Sequence, residues 1–300
     1  MKYFCLLLCH LPAFCVAQSP AEYLEKGLYH YQRDQLDSAQ YYYQKVQETQ
    51  GYQLPALAGL INIALVRTDF EEAKNLIETG DLLSEQPGVA LLDWCKFKTS
   101  KGEYFRKTSQ LEEALAQHQA IMRKSATSSA AQLVYAYATF HTALTFEKLA
   151  QYDSSFYYAQ QAYPLFLQAL DTTDLAFTSI YNGLAVCYQR ANRLEEARLF
   201  YLKSKAIAES QLGPVSSDLA ICLNNLSSIS RAEENYKEAI AYGEQALKIF
   251  RALKDESGVS GVYYSLGIYH YYLGDYGRAK DFMEACIRIR ERLFLPSIMP

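Results

Sequence analysis

Pairs of neighbouring glutamates are the residues of this sequence whose spacing could support catalysis. Glu112-Glu113 and Glu195-Glu196 each bring two carboxylates together, as general acid–base chemistry requires. A third pair, Glu71-Glu72, stands in the same setting: each pair begins a predicted helix, where acidic side chains offset the positive end of the helix dipole. The sequence has no glycine-rich phosphate loop, no H-E-x-x-H and no G-x-S-x-G. We therefore expect these acids to be solvated, and the protein to be no enzyme and to use no cofactor or metal.

Histidine and cysteine spacing gives no sign of a metal site or a nucleophile. His118 and His141 stand apart from any obvious cysteine or acidic partner along the sequence. The four cysteines outside the N-terminal segment are scattered without a C-x-x-C pair, although a disulfide is possible in an oxidising compartment. We expect buried free thiols, because cysteine behaves as a small hydrophobe. These four are Cys95, Cys187, Cys222 and Cys286.

A helical hairpin that recurs along the chain is the element that must position any functional residue. Five clear copies share a polar corner followed by a small residue. These small residues are Ala39, Ala73, Ala197, Ala239 and Ala279. Two weaker copies, "GEYFRK" and "QYDSS", end at Lys107 and Ser155. The successive spacings are 34, 34, 48, 42, 42 and 40 residues, and self-similarity in this range is the signature of a solenoid.

The hairpin resembles the tetratricopeptide repeat (TPR), and the resemblance covers roughly residues 20–295. In the last copy the pattern reads Tyr263, Leu266-Gly267, His270, Gly274-Asp275-Tyr276, Ala279, Met283 and Cys286. The copies with "YNGLA" and "LNNLS" are similar to the kinesin-light-chain-like subgroup. The resemblance implies an all-α, right-handed superhelical solenoid of about seven hairpins, in which neighbouring hairpins stack to bury their apolar faces.

The spacings predict two groups of repeats. Residues 20–121 would hold three 34-residue repeats, and residues 136–295 four repeats of 40–42 residues. The polar stretch 122–135 coincides with the spacing of 48 and is either a lengthened helix or a hinge; we favour the lengthened helix. Residues 296–300 are expected to be a ragged or truncated end.

The expected functional surface is the concave face formed by the first helix of each repeat. In relatives, asparagines in this register bond to the backbone of an extended peptide, which offers the same amide groups whatever its sequence. The resemblance places seven residues there: Asn182, Gln189, Asn224, Asn225, Arg231, Tyr264 and Tyr271. Leu24 and Leu28 occupy the positions where chaperone-tail binders need Lys and Asn, so that subtype is excluded.

Two structural alternatives to ligand binding stay open for these residues. The asparagines could bond only to neighbouring helices and lock the superhelix. Tyr264 and Tyr271 are seven residues apart, on one helical stripe, and could be an aromatic anchor for a ligand or could pack against a following helix.

The N-terminus predicts export. Lys2 precedes an apolar run, Tyr3–Val16, of 14 residues, which is shorter than the roughly 20 residues that span a bilayer. The small residues Cys15 and Ala17 precede Gln18, as at a signal-peptidase site. Residues 1–17 are therefore interpreted as a signal peptide cleaved between Ala17 and Gln18, and the mature protein as periplasmic or otherwise in a bacterial cell envelope. We expect no membrane span after its removal.

Composition narrows the class of partner. Half of the residues are hydrophobic, and the net charge is −4 without a long basic run, which argues against a nucleic-acid partner. The sequence thus predicts an exported, non-enzymatic scaffold that binds a protein or an extended peptide. The alternative is the sensory or regulatory N-terminal region of a larger protein, such as a CHAT protease, a histidine kinase or a transcription regulator.

Overall fold

The computed structural model describes residues 19–128 and 131–294, and these residues form fourteen α-helices and no strand. The predicted signal peptide with its cleavage site, Ala17–Gln18, and residues 296–300 lie outside the described part. The helices pair into seven antiparallel hairpins that stack in chain order. They are α1 Pro20–Tyr31, α2 Leu36–Gln44, α3 Gln53–Val66, α4 Phe70–Ser84, α5 Leu91–Lys107, α6 Leu111–Ser125, α7 Gln132–Lys148, α8 Tyr152–Ala169, α9 Ala176–Arg190, α10 Leu194–Gln211, α11 Ser217–Ala232, α12 Tyr236–Ala252, α13 Glu256–Tyr272 and α14 Tyr276–Phe294. The predicted all-α solenoid of seven hairpins is confirmed.

Every hairpin turns through one residue in the left-handed backbone region. The seven residues are Asp34, Thr68, Ser109, Ala150, Asn192, Glu234 and Gly274. The amide of the following residue then donates to the carbonyl five positions back, as Asp69 N does to Ala64 O at 2.9 Å and Asp275 N to His270 O at 2.9 Å. This bond satisfies a carbonyl that the end of the first helix would otherwise leave free. One backbone conformation thus makes all seven corners.

The corner of the third hairpin differs from its predicted position. Residues 102–107, predicted as a corner, lie inside α5, and the turn falls at 108–110. Gly102 lies within the helix, where α6 packs closely against it. The buried small residue that follows the turn is Ala114. With Ala114 in place of Lys107 the spacings become 34, 41, 41, 42, 42 and 40 residues.

The corrected register removes the anomaly that suggested a lengthened helix or a hinge at 122–135. Helix α6 ends at Ser125 and α7 begins at Gln132, so six residues connect them, as many as connect α8 to α9. Buried Cys95, Ile121 and Ala138 pack together across α5, α6 and α7. The three predicted 34-residue repeats are wrong, because a single spacing of 34 precedes repeats of about 41 residues.

Small buried residues let the two helices of each hairpin approach closely. Ala197 and Ala239 are both fully buried, as the repeat pattern predicted. The first helices carry small buried residues as well: Ala185 on α9 has no exposed surface, and Gly267 on α13 packs on Met283 of α14. A larger side chain at these positions would force the helices apart.

The acidic residues at helix starts act as predicted. Asp69 accepts a hydrogen bond from the backbone N–H of Glu72 at 3.0 Å, and Asp275 accepts one from Arg278 at 3.2 Å. The pairs Glu112-Glu113 and Glu195-Glu196 occupy the first turns of α6 and α10. They stand where free N–H groups and the helix dipole favour negative charge.

The four helical cysteines are buried free thiols, which confirms the expectation from the sequence. Burial raises the pKa of the Cys95 thiol to about 11 and that of the Cys187 and Cys222 thiols to about 12. These thiols are therefore protonated and unreactive at neutral pH.

The stack curves far enough for its first and sixth hairpins to touch. The Asp34 carboxylate, at the corner of the first hairpin, accepts a hydrogen bond from the backbone N–H of Ser217 at 2.9 Å and one from its hydroxyl at 2.7 Å. These residues are 183 positions apart in the chain. The contact joins two parts of the solenoid that the repeat pattern leaves far apart.

Candidate functional site

The first helices of the hairpins line the inside of the curve. In the described residues, α5 contacts α7, α7 contacts α9, and α9 contacts α11, whereas the second helices α6, α8, α10 and α12 do not pack against one another. Helices that approach each other more closely lie on the inner side of a bent stack. The concave face is therefore built from α1, α3, α5, α7, α9, α11 and α13, and the seven predicted groove residues lie on the last three.

Asn182 and Asn225 bond to each other. Asn225 Nδ2 donates to Asn182 Oδ1 at 2.9 Å, which links α11 to α9. Such a bond between neighbouring first helices is what the structural alternative for the asparagines describes. Asn224, by contrast, has a buried Oδ1 without a hydrogen-bond partner among the described residues. Adjacent asparagines on α11 thus stand in different settings: Asn225 in an interhelical contact and Asn224 with a free acceptor.

Gln189 and Arg231 also differ from each other. Gln189 Oε1 accepts a hydrogen bond at 3.0 Å from the hydroxyl of Tyr201, a fully buried side chain. Gln189 therefore satisfies a core tyrosine. Arg231 is exposed in the last turn of α11, and its guanidinium has no ion pair within the described residues. It is a cation available to a ligand.

Tyr264 and Tyr271 are exposed on α13, with 47% and 59% of their surfaces accessible. The Arg290 guanidinium lies 5.4 Å from the centre of the Tyr264 ring. Tyr271 makes edge-to-face contacts with Tyr272 and Tyr276. The three tyrosines border a shallow pocket of about 490 Å³ that is also lined by Ile268, Lys280 and Met283. Both rings thus contact a side chain of the following helix, α14, but they remain about half exposed.

A cluster of ionisable groups on α5, α6 and α7 was missed from the sequence. His141 Nδ1 lies 2.8 Å from Glu103 Oε1, and Arg106 Nε lies 2.9 Å from the same oxygen. Burial raises the pKa of the Glu103 carboxyl, but His141 and Arg106 outweigh it and hold this pKa well below its usual range. The expectation that His141 stands apart from any acid was wrong, because an acid on the preceding first helix reaches it.

His118 completes this cluster from α6. Its ring is fully buried and stacks on His141 with 5.4 Å between the ring centres. Burial, and then the neighbouring His141, lower the pKa of His118 to about 3, so the ring is neutral at physiological pH. The signal that could have revealed the cluster is the register: with the third corner placed at 108–110, Glu103 falls on the concave side.

The described residues contain no group of three or more histidine, cysteine or acidic side chains arranged to hold a metal ion. Among the same residues, every helix is too short or too polar to cross a bilayer.

The repeat family matches the second half of the chain. Residues 177–252 and 231–292 match the model described as tetratricopeptide repeat, and the other hairpins have the same turns and the same buried small residues. The fifth to seventh hairpins are therefore tetratricopeptide repeats, and the first four hairpins share their fold. This fold is generally a non-enzymatic scaffold for interactions with proteins.

Solved structures with the same fold cover most of the chain at low sequence identity. A Rap protein complexed with Competence and Sporulation Factor is 16% identical over 90% of this chain and 76% of its own, with a TM-score of 0.68. Aspartyl phosphate phosphatase F from Bacillus subtilis is 16% identical over 94% of this chain and 77% of its own, with a TM-score of 0.57. A putative kinesin light chain from Podosopora anserina, with nearly identical TPR-like repeats, is 15% identical over 66% of this chain and 96% of its own, with a TM-score of 0.54. A comparison with curated proteins found no match.

Proposed function

We propose that this protein is an exported, non-enzymatic scaffold that binds a protein or an extended peptide segment in the concave groove of repeats five to seven. Its fold supports this class of function, and one structure of similar fold contains Competence and Sporulation Factor. The proposed partners do not include nucleic acid or a membrane. The alternative, that the chain is a regulatory region of a larger protein, stays a prediction. The size of the native product on a gel would test it.

The observation that carries the proposal is the free acceptor of Asn224. Asparagine is a mediocre helix former, and leaving a buried amide oxygen without a partner destabilises a folded protein. The Asn224 side chain as a whole is only half-buried, so rotation of its amide would present this oxygen to a peptide backbone N–H. An unpaired acceptor on Asn224 is therefore an argument for a binding site. The same argument does not apply to Asn225, because its amide already bonds to Asn182.

The surroundings of Asn224 suit an extended segment. Arg231 lies seven residues, about two helical turns, beyond Asn224 on the same helix, which places the two roughly 10 Å apart along the axis. An extended peptide covers this distance with about three residues. Tyr264 and Tyr271 repeat the same spacing on α13 and remain exposed, so they offer apolar surface beside the polar stripe of α11.

The binding test distinguishes the role proposed for Asn224 from that of its neighbour Asn225. The mature chain, immobilised, captures partners from a cell-envelope extract, and the captured protein is then purified and titrated against each variant. We expect Asn224→Ala to weaken affinity about tenfold, the equivalent of one hydrogen bond of roughly 1.4 kcal/mol, with little change in melting temperature. Asn225→Ala should instead lower the melting temperature, because it removes the bond to Asn182.

Asn75→Ala is the matched control, because Asn75 is exposed on the second helix α4, away from the concave face. It should change neither affinity nor stability. If Asn224→Ala binds the purified partner as the unmodified chain does, the groove of repeats five to seven is not the binding site.

Export is tested separately at the N-terminus. The proposal expects a mature protein that begins at Gln18 and is recovered from the envelope fraction. Mass spectrometry of the native protein provides the measurement. If protein from the cytoplasmic fraction still begins with Met1, the export part of the proposal is wrong. The proposed binding in the groove does not depend on this result.

A further inference from the structure

The contact between the first and sixth hairpins has the form of a helix cap supplied by another repeat. Ser217 is the first residue of α11, and its backbone N–H is one of those that a helix leaves without an internal partner. The carboxylate of Asp34 takes this N–H and the Ser217 hydroxyl, one with each oxygen. Both the hydrogen bonds and the positive end of the α11 dipole favour a negative charge at this place.

The two hydrogen bonds of the contact are exposed to solvent, although Asp218 beside them is half-buried. Asp34 is an exposed residue, and within the described residues neither α1 nor α2 packs along α11. Few other groups therefore hold the two hairpins together. Solvent-exposed contacts of charged groups contribute little stability, so the first hairpin can separate from α11 without unfolding of either.

A second carboxylate, that of Asp218, lies beside the contact. Asp218 follows Ser217, and burial together with the nearby Asp34 raises the pKa of Asp218 to about 6. The groups that face Asp218 are Asp34 and Tyr31 from the first hairpin and Cys222 from its own helix. Burial, followed by the charges of Asp218, Glu103 and Asp34, raises the pKa of Tyr31 to about 12. Ionisation of Asp218 therefore adds a second carboxylate beside Asp34 with no opposing cation among these groups.

We propose that Asp34 and the N-terminus of α11 form a latch that opens and closes the solenoid between its first and sixth hairpins. With the latch closed, the corner of the first hairpin meets the start of α11, and the concave face is enclosed on this side. With the latch open, the first hairpin moves away and this side of the concave face becomes accessible. The latch is a property of the chain itself and goes beyond the proposed binding function.

The latch responds to pH in a defined direction. Closing buries Asp218 beside Asp34, so the closed state binds a proton at Asp218 more tightly than the open state, in which an aspartate returns toward its ordinary pKa of about 4. A state that binds more protons is favoured as the pH falls. The latch is therefore more closed at about pH 5 than at about pH 8.

The test measures the distance across the latch in the full mature chain. Spin labels are attached through Ser38→Cys on α2 and Val215→Cys just before α11, both at exposed positions; the native thiols are buried and are not labelled. Pulsed electron spin resonance then gives the fractions of short and long distances at about pH 5 and pH 8. We expect the short distance to predominate at the lower pH and its fraction to fall at the higher pH.

Three variants make the result decisive. Asp34→Gly removes the carboxylate and suits the left-handed backbone of that position, so the hairpin still folds; the long distance should predominate at both pH values. Asp218→Asn should retain the short distance at both. Asp37→Ala is the control, since it removes an exposed acid three residues away and should behave as the parent.

An unchanged distance distribution in Asp34→Gly overturns the latch, and so does an equal change in Asp37→Ala. A parent protein whose distances do not depend on pH, or an Asp218→Asn variant that retains the pH dependence, overturns the role of Asp218. The measurement uses no partner, so its failure leaves the proposed binding function standing.

Discussion

Gly102 on α5 lies directly against the imidazole of His118 on α6, so close that a Cβ on Gly102 would overlap His118 Cε1. The His118 ring cannot move away, because it is fully buried and stacks on His141. The third hairpin therefore depends on having glycine at this position. The same glycine was predicted from the sequence to form a turn.

Gly102→Ala should destabilise the protein by about 1–3 kcal/mol through overpacking, measured by urea unfolding. Gly261→Ala is the control, since Gly261 is a glycine in the interior of α13 and no heavy atom lies within 4 Å of the place of its Cβ. That control should be stabilised by up to about 1 kcal/mol, because alanine is the better helix former. Equal effects of the two changes would contradict the close contact.

Ala197→Leu and Ala239→Leu should each lower the free energy of unfolding by about 1–3 kcal/mol, because both residues are fully buried between helices. Ala206→Leu, at an exposed position of α10, should leave it nearly unchanged. Thermal melts of the three variants check this expectation. A melt of Ala197→Leu that matches the parent would mean that the helices are farther apart than described.

Ala150→Gly should stabilise the protein by about 1 kcal/mol, because Ala150 adopts the left-handed conformation at the corner of the fourth hairpin and glycine does so without a Cβ clash. Ala191→Gly is the control. Ala191 lies at the end of α9 with a negative φ of −80°, so glycine should not stabilise the protein there. Chemical unfolding of both variants provides the comparison. Stabilisation by Ala191→Gly alone would be inconsistent with the assigned corner.

Glu103→Gln should destabilise the protein at neutral pH by about 1–3 kcal/mol, because Arg106 and His141 lose their anionic partner. The lowered pKa of Glu103 means that the folded state holds this carboxylate ionised, so its stabilising effect is present above the ordinary pKa of about 4.3 and is lost as the pH falls further. The difference between parent and variant should accordingly shrink below about pH 4.

Glu113→Gln is the control for that experiment, since Glu113 is exposed in the first turn of α6 and should lose only a few tenths of a kcal/mol. Urea unfolding between pH 7 and pH 3 measures both variants. A Glu103→Gln difference that grows as the pH falls would have the wrong sign for an ionised carboxylate.

The repeat pattern predicted those features that depend on residues close together in the chain. Ala197 and Ala239 could be recognised because a corner and an aromatic residue stand at fixed distances from them. The third corner was misplaced because "GEYFRK" looks like a corner, although "QLEEA" ending at Ala114 repeats "RLEEA" ending at Ala197. A glycine that serves close packing looks the same in sequence as one that serves a turn.

Features that depend on the curvature of the stack could not be predicted. The groove register placed Asn182 and Asn225 on successive first helices, but whether they bond to each other depends on how closely α9 and α11 approach. The contact of Asp34 with Ser217 depends on small rotations summed over five hairpins. No local pattern encodes such a sum.

The contact between Asp34 and Ser217 also has a consequence for the order in which the chain folds and unfolds. In a linear array of repeats each hairpin depends on its neighbours, and an end hairpin frays independently of distant ones. Here the first hairpin has a second neighbour, the sixth, which it meets only after the intervening hairpins have formed. This long-range contact raises the contact order of an otherwise local fold. Its formation should be a late step in folding, and its loss should come first when the amino-terminal end of the array begins to open.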